Sequence, residues 1–178
     1  MAALLSAARR LRAEHGSLEK AFLAGDPGGE TVEGALSAFA AAFRKADPGF
    51  ANRGASAFVP GPDGGSACKR PALFLRWMIR EDALDTGAWQ GVDRARLVLP
   101  LDTHVDRISR GLGILRRKGT GWKSVLEATT ALRRMCPEDP IRYDFPLCRL
   151  GILDLCPRKR DPVNCRACGL YDVCGYAR

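Results

Sequence analysis

Apolar residues recur along this chain at intervals of three and four, the spacing of helices that bury one face. Leu4, Leu5, Ala8 and Leu11 form one such stripe, and Leu18 and Phe22 continue it after a break at His15-Gly16, so residues 1–24 read as helical. Arg9, Arg10 and Arg12 fall on the wet side. The run Gly25-Asp26-Pro27-Gly28-Gly29 reads as a turn. Val32, Leu36, Phe39, Ala40 and Phe43 predict a helix over 31–45, ended by Asp47-Pro48-Gly49. Residues 51–67, with PGPDGG among them, carry no period and read as a loop. A helix resumes near Lys69, with Pro71 tolerated at its start. Leu73, Phe74, Trp77 and Met78 are its expected apolar face, with Arg76 and Arg80 on another.

The next stretch, EDALDTGAWQG, is acidic and turn-like, and Trp89 between Gly87 and Gly91 is expected to be exposed. The short apolar run LVLPL leads into Asp102, and a helix follows over 103–110 with Val105, Ile108 and Leu112 inward. Trp122, Val125, Leu126, Thr129 and Leu132 predict a helix over 122–135, stopped by Pro137 and Pro140. A last helix over 143–153 delivers the chain to Cys156. No strand pattern and no repeat emerges. The expected fold is all-α, built from many short helices. Three regions follow: N-terminal helices over 1–54, a helical core over 55–140 with Lys69 and Asp102, and a C-terminal helix and cysteine loop over 141–178.

Charge sharpens this picture. The chain has 178 residues, 46% of them apolar, enough for one compact domain or two small lobes sharing an interface. Its formal charge of +8 favours a polyanionic partner such as DNA or RNA. Seven cysteines cannot all pair internally. No secretory signal and no apolar run of membrane-spanning length is evident, so a reducing, cytoplasmic setting with thiolate metal ligands is expected.

Four of those cysteines lie in the tail LCPRKRDPVNCRACGLYDVCGYAR: Cys156, Cys165, Cys168 and Cys174. Structural zinc sites usually supply two close pairs, and here only Cys165 and Cys168 form one. Wider ligand placement suits four irons at alternate corners of a cube, so the spacing favours a [4Fe–4S] cluster over zinc. The loop that the tetrad ties down holds Arg158, Lys159 and Arg160. Cys68, Cys136 and Cys148 are expected to be buried small hydrophobes.

The tail resembles the iron–sulfur loop of the helix-hairpin-helix DNA glycosylases, the endonuclease III and adenine-glycosylase superfamily. Cys165, Cys168 and Cys174 match its spacing, and the gap after Cys156 is two residues longer than in that family. A second match lies upstream. The family carries its essential aspartate in a Val-Asp-Thr-His segment before a helix, and this chain reads Leu101-Asp102-Thr103-His104-Val105, with Arg107 following. The nearest branch is one long described as a domain of unknown function, and Gly65 to Arg70, Phe74 to Met78 and Leu101 to His104 resemble its hallmarks. The resemblance covers about residues 55–178.

By that resemblance the fold has helical lobes flanking a cleft. The four cysteines hold the cluster, Arg158, Lys159 and Arg160 contact DNA phosphate, and Asp102 is catalytic. An aspartate at a helix start caps free N–H groups, and a fixed anion there stabilises the cationic sugar formed as an N-glycosidic bond breaks. Lys69 lies near the family's catalytic lysine, where an amine attacks C1′ in enzymes with lyase activity; a phosphate contact by Lys69 and Arg70 is the alternative. Arg70 and Arg107 are further DNA-binding candidates. Trp77, Trp89 and His104 are candidates for a pocket that receives a flipped base. The segment from Val59 to Lys69 is glycine-rich yet lacks the family's hairpin, because Pro62 has no amide donor and Asp63 repels phosphate.

The expected function is a monomeric repair glycosylase acting on double-stranded DNA. The alternatives are a non-enzymatic iron–sulfur DNA-binding protein and a truncated, inactive glycosylase. The last arises because the nearest branch runs longer before the equivalent of residue 1.

Overall fold

A computed structural model of the chain describes residues 2–51, 53–157 and 160–177. Its helices are α1 Ala2–His15, α2 Leu18–Ala24, α3 Glu33–Ala46, α4 Arg53–Ser56, α5 Lys69–Ile79, α6 Thr103–Gly111, α7 Trp122–Arg133, α8 Asp144–Ile152 and α9 Pro162–Ala167. Among the described residues no strand forms; a single antiparallel bridge joins Glu81 and Thr86. The all-α expectation holds.

The break at His15-Gly16 has a local cause. Gly16 takes a left-handed φ of 85°, and the Ser17 hydroxyl accepts from Lys20 N at 3.0 Å to start α2. α1, α2 and α3 pack on one another. Val32, Leu36, Phe39, Ala40 and Phe43 are all buried, as the period predicts, whereas Leu5 points outward. Phe22, Phe39, Phe43 and Phe50 form a chain of edge-on ring contacts. Buried apolar residues from α1 through α8 join in one continuous core.

α5 departs most from expectation. Its inward positions are Ala72, Leu75, Arg76 and Ile79, while Trp77 is 47% exposed. Arg76 and Arg80 are buried because carboxylates meet them there. Arg76 donates to Asp85 at 3.0 Å and Asp144 at 2.6 Å, and Arg80 to Asp139 at 2.9 Å and Asp85 at 2.5 Å. Asp85 comes from the acidic segment after α5, which therefore folds back as a counter-charge to the helix. Removing one partner from such a cluster costs about 3–5 kcal/mol, since a charge is then left buried alone.

Trp89 is buried rather than exposed. Its ring lies 5.7 Å from Phe22 and 5.4 Å from Phe74, sealing the acidic segment onto the core. Two short helices also lie in stretches without a visible period, α4 in the 51–67 loop and α9 in the cysteine tail. α9 starts at Pro162, capped by the Asp161 carboxylate.

Candidate active site

The apolar run before Asp102 is extended and fully inside the protein, with Leu97, Val98, Leu99 and Leu101 buried. Leu99 N donates to the Thr129 hydroxyl of α7 at 3.0 Å, which fixes the run lengthwise. Asp102 follows in extended backbone as the N-cap of α6. One carboxylate oxygen, Oδ1, accepts from His104 N at 2.9 Å and Val105 N at 2.8 Å. Those amides have no partner within the helix, so the cap satisfies them and fixes the carboxylate.

The other oxygen, Oδ2, faces Lys69. The ammonium nitrogen, in the first turn of α5, lies 3.5 Å away. The Lys69 side chain is half exposed and that of Asp102 nearly covered, so the pair opens to solvent on the lysine side. Cys148 of α8 approaches the same oxygen, Sγ to Oδ2 at 3.6 Å. Burial, with the Asp102 charge adding to it, pushes the Cys148 thiol up to about 11. It therefore stays protonated and points its weak donor at the carboxylate. Cys68 and Cys136 are buried as expected, whereas Cys148 is only partly buried and belongs to this site.

Behind the pair stands Asp144, at the start of α8. Burial pushes its carboxyl up to about 6 although Arg76 opposes the shift, and the Asp102 charge adds to the rise. α8 can lie close along α6 because residue 151 is glycine: a Cβ there would stand 2.6 Å from that of His104. His104 is thus packed against α8 and partly buried.

The remaining candidates are dispersed. Trp77 is on the outside of α5 and lines an apolar groove with Arg70, Phe58 and residues of α1 and α3. Arg70 donates to Ala57 O at 3.0 Å and lies over the Phe58 ring. Trp89 has aromatic rings at 5.7 and 5.4 Å and is not placed to receive a base. Arg107 is not an open cation: it donates to Cys156 Sγ at 3.2 Å, to Pro157 O at 3.0 Å and to Cys156 O. A residue of α6 thereby grips the start of the tail. The far part of the tail is tied to the same helix, with Gly175 N on Gly111 O at 2.7 Å and the Tyr176 ring seated against Gly111.

Between these two attachments, Cys156, Cys165, Cys168 and Cys174 line one cavity of about 360 Å³, together with Arg107 and Arg160. Among the described residues no three His, Cys, Asp or Glu side chains converge closely enough to hold a single metal ion. Arg160 donates to Ala177 O at 2.7 Å and so helps close the tail on itself. Arg158 and Lys159 lie outside the described residues.

Lys69, Asp102 and the tetrad stand out from the residues alone. Cys148, Asp144 and the Arg76–Asp85 pair emerge only in the fold. One signal for the last is present in the sequence: two arginines four apart on a helix, followed at once by an acidic segment, suggest mutual neutralisation.

The fold and this site define an all-helical protein with an aspartate–lysine pair at two helix starts. The chain belongs to the family described as protein of unknown function, DUF2400, whose model matches residues 1–153. The match takes in the N-terminal helices as well as the Lys69–Asp102 site, and the cysteine tail lies beyond its end. No curated protein and no solved structure matches the chain.

Proposed function

We propose that the protein is a DNA N-glycosylase with an associated lyase step, carrying a [4Fe–4S] cluster in its tail. The observation that carries this reading is the 3.5 Å approach of Lys69 Nζ to Asp102 Oδ2, with the opposite oxygen held by two helix amides. As the bond from C1′ to the base nitrogen breaks, positive charge grows on the sugar. A carboxylate already fixed in its geometry stabilises that state without having to reorganise. A proton from Lys69 passes through Asp102 Oδ2 to the departing base, which leaves with the bonding electron pair. The carboxylate is thus again ionised as charge grows on the sugar and the freed amine attacks C1′. The bond from C1′ to the ring oxygen opens next, and that oxygen takes up a proton. The imine left at C1′ permits β-elimination, which breaks the strand on the 3′ side.

Cys156, Cys165, Cys168 and Cys174 would hold the cluster, whose contribution is to brace the tail against α6. The net charge of +8 and the Arg158-Lys159-Arg160 segment suit double-stranded DNA. The test is a screen of duplexes carrying different damaged bases, each with a borohydride arm. Base release with a trapped covalent adduct supports the proposal. Duplex binding without release from any lesion would favour a non-enzymatic DNA-binding protein.

A further inference from the structure

Resting on that DNA reading, we infer that residues 116–123, a loop running into the first turn of α7, are a second contact surface for the sugar–phosphate backbone, adjoining the turn that leads to Lys69. The segment reads RRKGTGWK and contains no carboxylate. Arg116, Arg117, Lys118 and Lys123 are all exposed. Of these four cations, only Arg117 has an ionic partner among the described residues, Glu127 at 3.7 Å; Arg116, Lys118 and Lys123 have none.

The fold holds these like charges together against their repulsion. Arg110 donates to Arg117 O and Gly119 O, both at 2.7 Å, and is itself fixed by the Asp106 carboxylate at 2.9 Å. Glu127 accepts from Arg116 N at 2.8 Å, and the Ser124 hydroxyl donates to Gly119 O at 2.9 Å. Asp106 and Arg110 belong to α6, so one helix carries the Asp102 cap at its start and the brace for this loop near its end.

The loop also abuts the Lys69 turn. Trp122 N donates to Gly65 O at 3.0 Å, and a Cβ at residue 121 would stand 2.5 Å from that oxygen. Only glycine permits this approach. Cβ atoms at Gly64, Gly65 and Gly119 would meet open space, so both turns present bare backbone outward. The open cavity between them, about 550 Å³, is lined by Arg117, Lys118 and Lys123 on one side. Glu33 and Asp63 also line it, and Asp63 accepts from the Ser37 hydroxyl at 2.8 Å. A braced turn with three of its four cations unpaired attracts a polyanion by charge and releases counterions when it binds. Its position beside the Lys69 turn fits a strand that reaches the Lys69–Asp102 pair.

The experiment compares duplex binding across salt concentrations for the wild-type protein and two variants. One carries Arg116→Gln, Lys118→Gln and Lys123→Gln; the other carries Arg9→Gln and Arg12→Gln on α1 as a control for general charge. Far-UV circular dichroism confirms that both fold. The first variant should reduce the slope of log K against log salt by about 0.9 for each phosphate no longer bound, with affinity down at least about tenfold. The control should keep the wild-type slope. An unchanged slope in the first variant, with wild-type binding intact, overturns this inference and leaves the glycosylase reading standing. Equal losses per charge in both variants overturn it as well, by showing only general attraction. A wild type that binds no duplex overturns both readings.

Discussion

Lys69 and Asp102, at the starts of two different helices, meet at 3.5 Å through one carboxylate oxygen, while the other oxygen is closed off by the amides of His104 and Val105. The carboxylate therefore has a structural face and a chemical face. Substitution at either residue separates the two.

Asp102→Asn keeps an oxygen for the helix amides and removes the charge. Excision should fall roughly a thousandfold, the scale of losing one fixed electrostatic stabiliser. Duplex affinity should hold or tighten, since a negative charge has left the surface. Lys69→Gln should abolish the borohydride-trapped adduct and strand nicking. A gel assay with and without alkali reads base release and nicking separately. Full excision by Asp102→Asn would reject the proposed chemistry; persistent trapping by Lys69→Gln would move the nucleophile to another amine.

The tail should contain iron and inorganic sulfide, about four of each per chain after anaerobic purification. One zinc without sulfide would contradict the cluster. Cys165→Ser should remove the broad visible absorbance. Amide exchange should then accelerate at the C-terminal end of α6, because Gly111 loses its partners Gly175 and Tyr176.

Asp144 gives a pH signature. Its folded value of about 6 lies above the ordinary carboxyl value of 3.8, so the fold favours the protonated form. This stability is fully present below the unfolded value and is lost as pH rises through 6. Lowering the pH from about 7 to about 5 should therefore stabilise the wild type by about 1 kcal/mol through this group, and Asp144→Asn should abolish that component. Asp26 and Asp82, whose carboxyls are held low by Arg96 and by the Leu84 amide respectively, act in the opposite sense only at lower pH. Denaturant unfolding at the two pH values measures the difference. An equal pH response in wild type and variant would reject the assignment.

The two tryptophans should behave as opposites. Trp89→Ala opens a cavity between Phe22 and Phe74 and should cost about 3–5 kcal/mol. Trp77→Ala, on the outer side of α5, should cost less than about 1 kcal/mol. Thermal unfolding distinguishes them. If Trp77 stacks on a base, its removal should instead appear in affinity for damaged duplex.

Helices α3, α6 and α7 are legible in the sequence because each buries one face against a single core, and the three-and-four period records that directly. The Asp102 cap is legible for a related reason: an aspartate ahead of a helical period has few other local roles. α5 misleads because periodicity assigns every arginine to water. Arg76 and Arg80 face inward only because Asp85, Asp139 and Asp144 arrive from other segments, and no local pattern encodes that arrival. Trp89 misleads in the same way, since its flanking glycines signal a turn whether or not the turn folds under. Cys148 stands apart from any motif, and its position beside Asp102 depends on how α8 packs along α6.

The attachment of the tail to α6 has a consequence for the nascent chain. Arg107 and Gly111 are synthesised well before their partners Cys156, Gly175 and Tyr176. On the ribosome, α6 can form its Asp102 cap early, yet one side of it stays uncovered until the tail emerges. A stalled or clipped product lacking the tail would carry Asp102 on a helix whose Arg107 and Gly111 lack their tail partners.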